Sequence, residues 1–296
     1  MGSPTGFYPG MRTGNMWEAL QLEFMRNALA AGILVSIVCG VIGTLVVVNR
    51  IVFLAGGIAH AAYGGIGLAF FMGWPYVAGT VGFSLISAGV MAAVTLKSRH
   101  RTDAVVGVIW AVGMATGIIL LDLTPGYNVD LMSYLFGSIL AVSASDLWQM
   151  GVMGLLVIAT VTYYYNDFLA MSFDNEYARL RNIPVTFLYC LLLGMVAIAV
   201  VMIIRVVGLI LVMALLTIPP FISEKFTGSL RTMMVLSSIL SCLFTITGLW
   251  LSYVLNLTAG ATIILVAAGG FLTAMSWMHI KRRVPPDASL QTDKAL

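Results

Sequence analysis

Nine apolar runs, each close to the length that crosses a hydrocarbon core of about 30 Å, divide this chain from end to end. They fall at about 24–48, 51–72, 76–96, 104–121, 147–165, 185–204, 206–222, 229–255 and 260–280. A run of this length and polarity folds as a helix, because lipid offers no partner for a backbone group left unbonded. A membrane barrel would instead need strands of about ten residues with alternating polarity, and the chain shows no such pattern. The expected fold is all-α: a polytopic helical membrane protein of about nine spans. A further run at 131–142 has twelve residues, too few to cross unaided, and reads as a short re-entrant or interfacial helix.

Composition closes the other routes. Of 296 residues, 60% are hydrophobic and 9% charged, against about 25% charged in a soluble domain. Disordered and nucleic-acid-binding classes need more charge than this, so no nucleic-acid partner is expected. Cys39, Cys190 and Cys242 all lie within apolar runs, which argues against a disulfide framework. The first run ends in Val48-Asn49-Arg50 without a small-residue cleavage site, so it is expected to stay as an anchor.

Basic residues orient the spans. Lys97, Arg99 and Arg101 follow the third run, Arg179 and Arg181 sit in the longest internal loop, and Lys281, Arg282 and Arg283 follow the last. All three clusters belong on the cytoplasmic side. Nine crossings achieve this only with the N-terminus outside and the C-terminus inside. Twelve Lys and Arg then lie inside and three (Arg12, Arg26, Arg205) outside. The expected division is an extracytoplasmic segment at 1–23, a transmembrane domain at 24–280 and a cytoplasmic tail at 281–296. Arg205 is the one interruption within 185–222, which leaves open a packing less simple than two full helices.

The common catalytic motifs are absent. The chain has no GxxxxGK[ST], HExxH, GxSxG or Cys-x-x-Cys, so neither ATP binding through a P-loop nor an enzyme is expected. The conspicuous residue is His60, ten residues beyond Arg50. That places it about 15 Å deep, where an ionisable group is costly and usually faces a pathway. Gly56 and Gly64 flank it on the same helix face, with Gly57 and Gly65 in the adjacent row. So smooth a face admits either a closely packed helix or a narrow conduit. His60 itself reads either as a pathway residue or as a neutral histidine bonded to a neighbouring helix. One histidine is not a metal site, and the 18 methionines read as packing.

Two further segments stand out. In the polar stretch 165–184, Asp174 sits where an N-cap would, Asn175, Glu176, Tyr177, Ala178 and Arg179 follow, and Pro184 is positioned to stop the helix. The segment reads as a short cytoplasmic helix for docking a soluble partner, or as an ordinary solvated loop. Pro219 and Pro220 near the end of another run mark either a hinge that frees carbonyls or a plain helix end. Asn256-Leu257-Thr258 matches a glycosylation acceptor, a pattern too short to carry weight.

Together these segments resemble the integral membrane permeases of bacterial and archaeal ABC importers for zinc, manganese and iron. The matching stretches are FLAGGIAHAAYGGIGLA (53–69), TDAVVGVIWAVGMATGIILL (102–121), YNVDLMSYLFGSIL (127–140), FDNEYARLRNIP (173–184), GLILVMALLTIPP (208–220) and LTAGATIILVAAGGF (257–271), in the family's order. The resemblance implies a fold similar to cobalamin and siderophore importer permeases, in the cell membrane. It implies a homodimer, two separate ATPase subunits that alone bind ATP, and an extracytoplasmic solute-binding protein. No permanent cofactor is implied; a divalent metal ion is the cargo. The stretch 173–184 resembles the coupling loop that enters the ATPase cleft. One position departs: the family commonly carries an Asp four residues before this His, where Gly56 stands. Asp122 or Asp130 is a candidate replacement; otherwise the cargo is a metal chelate or another small solute. A membrane enzyme or secondary transporter is the remaining alternative. Glu224 and Lys225 also replace the small residues usual after the paired prolines.

Overall fold

The computed structural model describes residues 23–97, 102–124 and 142–283. Its elements are α1 (Glu23–Val48), α2 (Val52–Met72), α3 (Tyr76–Lys97), α4 (Thr102–Asp122), α5 (Ala144–Tyr163), α6 (Tyr165–Phe173), α7 (Asn175–Leu180), α8 (Val185–Val207), α9 (Leu209–Phe226), α10 (Leu230–Leu255) and α11 (Ala259–Arg283). Among the described residues nine helices are long and apolar enough to cross a membrane. The chain is a multi-pass helical membrane protein, as its apolar runs require. The short helix expected at 131–142 falls, except for Val142, outside the described residues.

Four spans make the centre. Along α1, α2, α8 and α9 most side chains are buried, whereas α3, α4, α5, α10 and α11 keep open outer faces. Those faces carry Ile86, Val108, Leu155 and Leu265, each mostly exposed and suited to lipid. Lipid tails are as apolar as leucine, so small residues and short polar bonds must hold the helices together. Between α1 and α10 this is visible at Gly40, which Ser238 fills, and at Ser36, whose hydroxyl pairs with that of Thr245 at 3.1 Å.

Four helices stop with a residue in the left-handed region: Arg50, Gly73, Asn182 and Asn256 have φ between 56° and 66°. In each case the next N–H reaches back five residues, as from Trp74 to the Ala69 carbonyl at 2.8 Å. Asn256 therefore has a conformational role in its apparent glycosylation pattern. Arg50 is the unexpected member, since arginine carries no tolerance for this conformation.

The segment 185–222 resolves into two helices with a single residue between them. Gly208 has φ 79° and ψ 176°, a conformation essentially confined to glycine. Arg205 does not make the break; the glycine does. Gly208→Ala is expected to cost about 1–3 kcal/mol. A lower thermal midpoint in detergent would show this, and an unchanged midpoint would count against it.

Candidate functional site

His60 occupies a narrow window in α2. Between Leu54 and Gly67 every residue is buried except His60, which is half-buried. Its ring stacks on Trp110 of α4, with centroids 3.9 Å apart and planes 27° from parallel. Phe53, one end of the same face, tilts against Trp110 at 6.4 Å. The Nδ1–H donates to the Gly56 carbonyl at 2.8 Å, which leaves Nε2 as the lone-pair nitrogen of the neutral ring. Trp110 is committed as well: its Nε1–H donates to Met114 Sδ at 3.1 Å. The imidazole is thus held in one orientation by a backbone bond on one side and an indole face on the other.

The space beside Gly56 is taken. A side chain at position 56 would begin 2.8 Å from Met213 Sδ and Cε, so the thioether of α9 fills the place where an aspartate at this position would project. Among the described residues no three His, Cys, Asp or Glu side chains gather to hold a metal ion. Asp122 does not replace the missing carboxylate within the protomer. It lies twelve residues along α4 from Trp110, about 18 Å from the ring that touches His60. Asp130 lies outside the described residues.

The other glycines of α2 serve helix approach. A Cβ on Gly57 would strike Val106, one on Gly64 would meet Phe83 at 2.7 Å and the Gly113 carbonyl at 2.9 Å, and one on Gly65 would meet the Gly79 carbonyl at 2.8 Å. Of the two uses open to this smooth face, close packing against α3 and α4 is the one realised at these three positions. Sequence reasoning placed His60 and the glycines correctly on one helix. It did not find Trp110 or Met213, because contacts between spans leave no periodic trace in either one.

The stretch 165–184 holds more structure than the sequence suggests. It contains two helices, with α6 beginning after Tyr164 and α7 beginning at Asn175. The Asp174 carboxylate accepts from the Glu176 and Tyr177 N–H groups at 3.0 and 2.9 Å, a working N-cap. Glu176 in the first turn and Arg179 in the last complement the helix dipole. Pro184 does not stop this helix, contrary to expectation. The stop is at Asn182 (φ 57°), with the Ile183 N–H bonded to the Ala178 carbonyl and the Asn182 N–H to that of Arg179, both at 3.0 Å. Pro184 instead precedes the first turn of α8.

Ala178 points into the protein and is fully buried, which seats α7. Its outer side shows Leu180 at 83% exposure and Tyr177 at 50%, beside Phe173 at the end of α6 at 69%, among exposed charged side chains. Arg181 lies over the Tyr177 ring at 5.7 Å. Asn49 Nδ2 donates to Ser172 Oγ at 2.8 Å, fixing α6 to the turn between α1 and α2.

The paired prolines end nothing: α9 runs six residues past Pro220 to Phe226. Proline at 220 cannot bond the Leu216 carbonyl, and that oxygen is the atom packed closest to Gly43 of α1, 2.6 Å from where a Cβ would stand. Beyond them, Phe221 packs on Phe271 at 5.7 Å and Lys225 Nζ lies 4.8 Å above the Phe221 ring. Glu224 pairs with Lys225 at 3.5 Å. Both charges sit at the exposed end of the helix, where they are readily solvated.

An uncharacterized membrane protein of Synechocystis sp. is 48% identical over 262 residues, 88% of this chain and 93% of its own length. The manganese transport system membrane protein MntC of Listeria monocytogenes is 33% identical over 255 residues, 86% of this chain and 91% of its own. Among solved structures, PsaBC from Streptococcus pneumoniae in complex with Fab superposes with a TM-score of 0.80 at 30% identity, over 87% of this chain and 93% of that one. Residues 21–278, from before α1 almost to the end of α11, match a single family, and the chain belongs to it: the ABC 3 transport family.

Proposed function

We propose that this chain is the membrane-spanning permease subunit of an ATP-driven importer that moves a divalent transition metal (zinc, manganese or iron) into the cell. The observation that carries the reading is His60, a half-open imidazole in the otherwise buried stretch from Leu54 to Gly67, held in one orientation with Nε2 free. A polar ring near the bilayer centre is costly unless it faces a pathway or a partner. A second copy of the chain set against this window would enclose it. The relative from Listeria monocytogenes, whose name describes manganese transport, supports a metal as cargo.

In this reading the work is divided. Two ATPase subunits bind and hydrolyse ATP, a solute-binding protein delivers cargo from outside, and this chain supplies the path. The capped α7, with Tyr177 and Leu180 outward, fits a cleft on a soluble ATPase. Its bonded link through α6 to the α1–α2 turn carries the ATPase stroke to α2. The N-terminus lies outside and the C-terminus in the cytoplasm, following the basic residues. The chain performs no catalysis of its own.

A second reading, the same permease with a metal chelate or small solute as cargo, is favoured by one observation. Among the described residues no group of three His, Cys, Asp or Glu forms at His60, and a bare divalent ion in a low-dielectric path needs its charge balanced.

Uptake of zinc, manganese and iron by cells expressing this chain with its ATPase and binding protein tests both readings. One metal is expected to accumulate in an ATP-dependent way, and His60→Ala is expected to lower that uptake about tenfold or more at equal membrane abundance. Full uptake by His60→Ala would return the ring to a packing role. Accumulation of none of the three metals would favour the chelate.

A further inference from the structure

The reading above leaves open which metal passes, and the surroundings of His60 bear on this. Two ligand-bearing side chains flank Gly56: His60 one turn ahead on the same face of α2, and Met213 reaching across from α9. With Nδ1–H bonded to the Gly56 carbonyl, the His60 nitrogen available to a cation is Nε2. Met213 is only partly buried, and its sulfur lies 2.8 Å from where a Cβ of residue 56 would stand. Residues at i and i+4 on a helix have Cβ atoms about 5–6 Å apart, which sets the thioether one helical turn from the imidazole. Met114, by contrast, already accepts the Trp110 N–H.

We infer that His60 Nε2 and Met213 Sδ form a carboxylate-free selectivity position that passes a borderline or soft cation and discriminates against manganese. This rests on the proposal that the chain is a metal importer permease. The chemistry is that of ligand hardness: thioether and imidazole suit zinc and softer ions, whereas manganese prefers carboxylate, carbonyl and water oxygens. A glycine at 56 is what makes the arrangement possible, since any side chain there would displace the methionine. One nitrogen and one sulfur hold an ion weakly, which suits a position that must release its cargo. The remaining coordination comes from water or from the equivalent pair of a second copy.

The test compares zinc and manganese uptake, each alone and in competition, in cells carrying the whole transporter. Wild type, Met213→Leu and the double variant Gly56→Asp/Met213→Ala are measured at matched membrane abundance. Leucine is close to methionine in volume and lacks the thioether, a swap of the kind that packed interiors tolerate best. Wild type is expected to take up zinc with manganese competing poorly. Met213→Leu is expected to lose about tenfold or more of its zinc uptake, on the scale of weakened metal sites. The double variant, which exchanges the thioether for a carboxylate beside His60, is expected to gain manganese uptake relative to zinc. The inference is overturned alone if wild type prefers manganese, or if Met213→Leu retains both the zinc uptake and the preference of wild type. Uptake of neither metal by wild type overturns it together with the reading it rests on.

Discussion

Replacing Leu180 with aspartate is expected to abolish ATP-driven uptake while leaving the protein folded and inserted. The two halves of that expectation have separate grounds. Leu180 is 83% exposed at the end of α7, so a charge there desolvates nothing in the isolated chain. Neither the Asp174 cap nor the Asn182 stop involves its side chain. In a docked complex the same position would be an apolar anchor in a protein cleft. Anchors of this kind cost about 2–4 kcal/mol when lost, or about thirtyfold and more in binding. A buried, unpaired carboxylate adds to that loss. Uptake, membrane abundance and co-purification of the ATPase are measured together. Normal uptake with the ATPase bound would remove α7 from the coupling interface.

The largest effect on stability is expected at the contact between α2 and α4. A Cβ on Gly67 would run into the backbone of Gly117, with its Cα at 2.7 Å, and a Cβ on Gly117 would in turn meet the Tyr63 carbonyl. Both obstacles are backbone, so no rotamer change relieves them. Gly67→Val forces the helices apart along the seam that also positions Trp110 against His60. Overpacking of this kind typically costs about 1–3 kcal/mol, and more where nothing can shift. Gly82→Val in α3 is the matched control, because a Cβ there meets nothing within 4 Å. The first substitution is expected to lower membrane abundance and the thermal midpoint in detergent sharply, the second to leave both nearly unchanged. Equal behaviour of the two would mean that the glycine seam is not what holds α2 to α4.

Much of this architecture was legible before any coordinates. The nine spans follow from apolar run length alone, and their ends differ from the helix ends by only a few residues. Asp174 was readable as an N-cap because its role depends only on the two N–H groups that follow it in the chain. The helix stops were harder to read. Pro184 looked like the terminator of α7, but Asn182 ends that helix two residues earlier, by a left-handed conformation that asparagine tolerates. The prolines at 219 and 220 misled in the other direction. They sit inside α9, where the carbonyl freed at Leu216 is accommodated against Gly43 of another span.

The sequence by itself determined the class of protein, the family, the nine long apolar helices among the described residues and the cap at Asp174. These are properties of contiguous chain: hydropathy over about 20 residues, a cap and its helix, a motif in order. Tertiary structure alone decided which face of each span is used. A helix apolar on every side carries no periodic signal for its rotation, so nothing within α2 indicates which of its neighbours His60 would meet. That Met213 fills the space above Gly56, and that Trp110 clamps the imidazole, depends on how three helices pack. Packing in a membrane is set by small residues and side-chain shape between spans distant in sequence.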